Sequence, residues 1–167
     1  MAVSAYTPNN CKYKIGKLDN FVFFLDKDSL GKITIDDGEA YVNSASTALT
    51  FETISTALEE NETLDERYEF THSLSFVING YSNIHSLDDL YYVIFKDLNG
   101  NHWLLNPQLP CKVTHTYTIN SKENTTKFVI STKSNFPLLQ VKNFESVTTK
   151  ACKEYYYCGI QNILLNE

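Results

Sequence analysis

No stretch of the sequence approaches the ~20 consecutive apolar residues that a membrane-spanning helix needs. The opening, Met1 to Asn10, lacks the charged start and apolar run of a secretory signal, so a chain made in the cytosol is expected. Basic residues are few, 14 Lys and Arg against 20 Asp and Glu, and they are scattered, giving a formal net charge of −6. No phosphate-binding stripe arises, which argues against sequence-specific nucleic-acid binding. Passive passage of DNA through an assembly stays open, because an acidic lumen repels DNA and needs no base contacts. Four cysteines, Cys11, Cys111, Cys152 and Cys158, are spaced like neither a zinc site nor a CxxC pair, and read as reduced, buried or incidental thiols.

Catalytic motifs are missing too. There is no Gly-rich phosphate loop, no GxSxG elbow and no HExxH pair. Asp97-Leu98-Asn99-Gly100-Asn101 superficially resembles a calcium loop, but Asn106 stands where the bidentate Glu is required, so a turn is the better reading. Of the histidines, His72 and His115 fall on the apolar faces of expected strands and read as hydrogen-bonded core residues. The alternative is that the two imidazoles meet. His85 and His102 are expected in solvent. No catalytic residue, metal site or cofactor is assigned, and the chain is not expected to be an enzyme.

What the sequence does have is pattern. It carries 11 Tyr and 10 Phe against one Trp, and these residues, with abundant Thr, Val and Ile, favour pleated half-buried surfaces. At 167 residues it is the size of one domain, able to hide roughly 70% of its unfolded surface without staples. From Tyr68 to Ile78 one face reads Tyr, Phe, His, Leu, Phe, Ile and the other Glu, Thr, Ser, Ser, Val, the period of a half-buried strand. The same alternation at Val113 to Ile119 and at Thr125 to Thr132, around a polar turn at Asn120 to Asn124, predicts a β-hairpin. Tyr91 to Lys96 and His102 to Leu105 predict a second, around an Asn-Gly turn. A third is expected from Asn20–Asp26 and Lys32–Asp36 around Lys27-Asp28-Ser29. Further strands are expected at Ala48 to Thr56, at Phe136 to Val141 as an edge strand that tolerates Pro137, and at Tyr155 to Leu165. One short helix is expected at Ser82 to Leu90, where Ser82 or Ser86 supplies a cap. The fold class is therefore mainly β, a β-sandwich or barrel with one short α-helix, in a single domain spanning 1–167 with an N-terminal arm (1–20) and a C-terminal strand extension (151–167).

Two features point to surface contacts. Glu59, Glu60 and Glu62 form an acidic run between strands, read either as a solvated loop or as a loop that docks on a basic surface of a neighbour. Tyr155, Tyr156 and Tyr157 cannot all enter one core from a strand, so at least one faces outward, and Tyr is favoured at interfaces.

The order of a long alternating strand, a short helix, "YYVIFKDLNGNHWLLN" at Tyr91 to Asn106 and "KFVISTKSNFPLL" at Lys127 to Leu139 resembles the tail-tube fold of tailed phages. That family includes tube, terminator-like and neck or tail ring proteins, and the similarity is to those of phages infecting Bacteroidetes, the crAss-like group included. The resemblance implies a non-enzymatic virion protein of the tail. It would assemble with itself into a homo-oligomeric ring and with other tail or neck proteins, its inner sheet joining its neighbours' to line a DNA channel. The competing expectation is a monomeric carbohydrate-binding or adhesin-like sandwich, in which Tyr and Trp rings stack on sugars.

Overall fold

The structure, a computed structural model, describes residues 15–26, 33–42, 47–64, 68–80 and 90–151. In chain order the strands are β1 (Leu18–Asp26), β2 (Thr34–Asp36), β3 (Glu39–Tyr41), β4 (Thr47–Glu52), β5 (Ser55–Leu64) and β6 (Tyr68–Asn79). They continue with β7 (Leu90–Asp97), β8 (His102–Leu104), β9 (Cys111–Ile119), β10 (Asn124–Ser134), β11 (Leu139–Val141) and β12 (Thr148–Ala151). The fold is mainly β, and among the described residues the strands are interrupted by one 3-10 turn, at Phe144–Ser146. The helix expected at Ser82 to Leu90 lies outside the described residues except for Leu90, which opens β7.

Two sheets form. Sheet A runs β12-β4-β1-β7-β8-β11-β3-β2, and sheet B runs β9-β10-β6-β5. They meet at two corners. The start of β7 pairs with the start of β9, Leu90 with Lys112 and Tyr91 with Cys111. At the other corner the chain turns from β4 into β5 through Thr53 and Ile54. There Thr53 N–H still donates to Asn20 O of β1 (2.8 Å), while Ile54 N–H already donates to Val77 O of β6 (2.7 Å). The strands β4-β1-β7-β9-β10-β6-β5 thus wrap around one core as a barrel, closed at one corner by the short β7–β9 ladder and at the other by the chain bending from β4 into β5, where, among the described residues, β5 is laddered only to β6.

The barrel interior is filled from both sheets. Phe24 and Phe51 from sheet A meet Phe76 and Phe128 from sheet B, every pair of these four rings lying 4.8 to 6.2 Å apart between centroids. Tyr91 stacks on Phe24 at 5.2 Å. Period-two alternation then forces a second core onto the outer face of sheet A, where Phe23, Leu25, Ile94 and Leu104 are buried. The chain covers that face itself by crossing from β11 on one flank to β12 on the other, laying Phe144 against Phe23 (4.6 Å) and His102 (4.3 Å). Asn143 pins the crossing, accepting from Val42 N–H (2.9 Å) and donating to Val42 O (2.7 Å).

Several expectations are corrected. The strand Leu18–Asp26 pairs with β4 and β7, not with the strand that follows it, so its hairpin around Lys27-Asp28-Ser29 is not formed. The tight hairpin is instead β2–β3, whose Asp37 (φ 52°) and Gly38 (φ 76°) adopt the paired positive angles of a two-residue turn. Residues Leu18 to Asn20, expected in an arm, are strand. β11 begins after Pro137 and is paired on both sides, with β8 and β3, so it is no edge strand.

Candidate assembly surfaces

The acidic run folds as strand, not as a loop. Glu59, Glu60 and Glu62 sit in β5, antiparallel to β6, with Glu59 opposite Ser73, Glu60 opposite His72 and Glu62 opposite Phe70. The long partner strand imposes extended structure on residues of low β propensity, an outcome that tertiary pairing routinely dictates. Alternation then separates the carboxylates. Glu59 is exposed on the outer face, whereas Glu60 turns inward and meets His72 Nε2 at 2.6 Å. Tyr155, Tyr156 and Tyr157 lie outside the described residues, as do Cys11, Cys152, Cys158 and His85.

Sheet B has one face in the barrel and one that no described residue covers. The outer face presents Ser55, Thr63, Thr71, Ser73, Ser75, Thr114, Thr116, Thr118, Thr125 and Ser131, with Val77 and Val129 as its larger apolar side chains. Its charges nearly cancel: Glu59 and Glu69 against Lys112, Lys127 and Lys133, and Lys133 lies 3.8 Å from Glu69. Both outer strands of the sheet have open edges among the described residues. β5 is laddered only to β6, and β9 beyond Lys112 only to β10.

Inside the barrel, one row across sheet B is polar. Glu60 lies opposite His72, and His72 opposite Thr132. Thr132 Oγ1 accepts from Asn106 Nδ2 at 2.6 Å and is hydrogen-bonded to the Cys111 thiol. His72 is wholly buried, and its Nδ1 has no hydrogen-bond partner among the described residues. His115 stands in the row of Phe128, four residues along β10 from Thr132, so the two imidazoles do not meet. Burial raises the Cys111 thiol to about 11, with the Thr132 hydrogen bond opposing it, which makes this sulfur a poor nucleophile.

His102 is the other departure from expectation. It is half-buried between Phe144 and Phe23 (5.5 Å), where burial, and then the nearby Lys96 charge, lower its pKa. Among the described residues no three His, Cys, Asp or Glu side chains come together as a metal site. A surface groove of about 410 Å³ lined by Glu69, Gln108, Leu109, Lys133, Ser134 and Asn135 holds no nucleophile–base pair.

The turn at Asp97–Asn101 is built by the aspartate. Its Oδ1 accepts from the N–H groups of Asn99 and Asn101 (2.9 Å each), and its Oδ2 accepts from Gly16 N–H (3.1 Å) and Trp103 Nε1 (3.0 Å). Only Gly100 of this loop needs a positive φ, at 87°, so the turn is not the two-residue type expected from Asn-Gly alone.

No protein-family model, no curated protein and no solved structure matches the chain.

Proposed function

We propose that the chain is a non-enzymatic virion structural protein, a subunit of a phage tail tube or of a tail or neck ring around a DNA channel. The observation that carries this reading is the outer face of sheet B. It is broad, hydroxyl-rich and nearly neutral, and no described part of the chain covers it. Sheet A, by contrast, has both faces buried, one in the barrel and one under the crossing before β12. A face of Ser and Thr holds water and gathers no cluster of cations, so a polyanion passes it without being held. Copies related by rotation and joined beside sheet B would set these faces side by side around an axis, and a closed ring suits strands with open edges. The alternative, a sugar-binding sandwich, loses its main ring: Trp103 is 5% exposed and its N–H is committed to Asp97.

The test is the mass of the purified protein by light scattering across concentration, with negative-stain images of the same sample. Rings or tubes with an axial channel are expected. A strict monomer at every concentration, with a thermal midpoint that rises with glycan, would replace the reading by the binding module.

A further inference from the structure

The charges that nearly cancel over sheet B are separated across it. No Lys or Arg occurs between Lys32 and Arg67, the stretch that holds β2 to β5. By contrast, β9 and β10 carry Lys112, Lys127 and Lys133 and no acidic residue. Glu59 and Glu62 are exposed on β5, and Lys112 and Lys127 are exposed on the far side of the sheet. None of these four side chains makes an ion pair among the described residues. Glu69 and Lys133, on the inner strands, lie 3.8 Å apart.

Distance within the sheet keeps the four apart. Glu59 stands opposite Ser73, and Ser73 opposite Ser131, so β9 is three strands from β5. At about 4.8 Å per strand, Glu59 is roughly 14 Å from β9. Lys127 is two strands across and four residues along, roughly 16 Å away. A lysine and a glutamate do not span either gap inside one copy. Apolar surface accompanies the charge on both sides: Ile54, where β4 turns into β5, is 50% exposed, and Val129 on β10 is 37% exposed.

We propose that a second copy of the chain is the partner of both flanks, joined head to tail. The acidic β5 flank of one copy docks on the basic β9–β10 flank of the next. This inference rests on the ring reading above and names the surfaces that close the ring. Neighbouring strands of sheet B are all antiparallel, so its outermost strands, β9 and β5, run opposite ways. Copies turned about an axis along the strands keep that direction, and β9 of one meets β5 of the next as an antiparallel pair. A two-fold contact through either flank alone sets glutamate against glutamate or lysine against lysine, which is repelled.

Carbodiimide coupling, which joins a carboxylate to an amine with no spacer, tests this on the native chain. An equal mixture of isotope-labelled and unlabelled protein is assembled, coupled and digested, so that peptide masses tell links between copies from links within one. Mixed-isotope links from Glu59 or Glu62 to Lys112 or Lys127 are expected, in species larger than dimers. The same links confined to dimers would make the partner a two-fold mate and overturn the head-to-tail contact. Rings whose links join other residues overturn the flank assignment and leave the ring reading standing, whereas a monomer at every concentration overturns both.

Charge reversal is the second arm. Glu59→Lys with Glu62→Lys should raise the concentration for half-assembly about tenfold, and so should Lys112→Glu with Lys127→Glu. The four changes in one chain should restore it. All four positions are exposed, and the thermal midpoint of each variant checks that the fold is retained. Ring assembly unmoved by either reversal sinks the proposal.

Discussion

The indole N–H of Trp103 donates to Oδ2 of Asp97 at 3.0 Å, and neither residue is more than 5% exposed. Through this bond a buried carboxylate ties the β7–β8 turn to the strand that follows it, and through Gly16 it also ties the entry of β1. Burial alone would raise the carboxyl pKa, but the donors from Asn101, Trp103, Gly16 and Asn99 together outweigh it and hold the group below its usual range.

Replacing this aspartate therefore strands several buried donors at once. Asp97→Ala should cost about 3 kcal/mol or more, and Trp103→Phe, which removes one donor and leaves the others satisfied, about 1–2 kcal/mol. Because the folded pKa lies below the unfolded value of about 3.9, the carboxylate's contribution is present above about pH 4. It is lost as pH falls through the folded value. Urea midpoints measured from neutral to acid pH check this, and Asp97→Asn should flatten the acid limb while lowering stability at neutral pH.

The four phenylalanines of the barrel make the second prediction. Phe76 and Phe128 are 4.8 Å apart and stacked, and each touches both Phe24 and Phe51. Phe76→Ala should cost about 3–5 kcal/mol and Phe76→Leu distinctly less, because leucine refills most of the space. Denaturant unfolding of the two variants measures the difference.

How far the sequence foretells this fold depends on which force decides each element. The alternation of β6 and of the β9–β10 hairpin is a one-residue-to-the-next property, and both stand where the pattern puts them. β5 was hidden because Glu59-Glu60-Asn61-Glu62 has the composition of a solvated loop. Its strand character comes from pairing along β6, although Thr56, Leu58 and Glu60 do alternate toward the core. The Asp37-Gly38 turn is legible as Asp-Gly, the pair that supplies two positive φ angles. What no local pattern carries is the partner of β1, since its neighbours β4 and β7 are chosen by the barrel's closure. The outer face of sheet B was readable as Thr114, Thr116 and Thr118, but that no described residue covers it follows from how the described strands are paired, which no local pattern carries.

Glu59 and Glu60 offer a sharp contrast, since adjacent residues of like charge occupy opposite faces. Glu60→Ala takes the carboxylate from a wholly buried imidazole whose other nitrogen has no partner among the described residues, and should cost about 1–3 kcal/mol. Glu59→Ala should change stability by about 0.5 kcal/mol or less. Equal effects in thermal unfolding would mean that β5 is not held in this register.

His102 sets a pH dependence of its own. Its folded pKa lies below the unfolded value of about 6.5, so the unfolded chain takes up the proton first as pH falls. Its contribution is intact above about pH 6.5 and declines below that until the folded imidazole also protonates. His102→Phe keeps the packing against Phe144 and Phe23 without a titrating group, so the variant should lose less stability than the parent between about pH 6.5 and pH 5.

Cys111 should behave as a core residue and not as a thiol. It is 3% exposed, packs in the barrel cluster beside Val113 and Leu105, and its pKa is pushed up to about 11. At pH 8 the thiolate is then scarce, and the sulfur is out of reach of a reagent unless the β7–β9 corner opens. Labelling with iodoacetamide at pH 8, read by peptide mass, should leave Cys111 unmodified in the folded protein and modify it fully in denaturant. The rate of any slow native labelling reports the opening of that corner, because Tyr91 pairs with Cys111 there. Substitution supplies the second arm. Cys111→Ala should cost about 1 kcal/mol from the small cavity, and Cys111→Ser more, although Thr132 can still pair with the hydroxyl. Labelling of Cys111 as fast as that of an exposed thiol would show that the two sheets are not joined at this corner, and the barrel would then be an open sandwich.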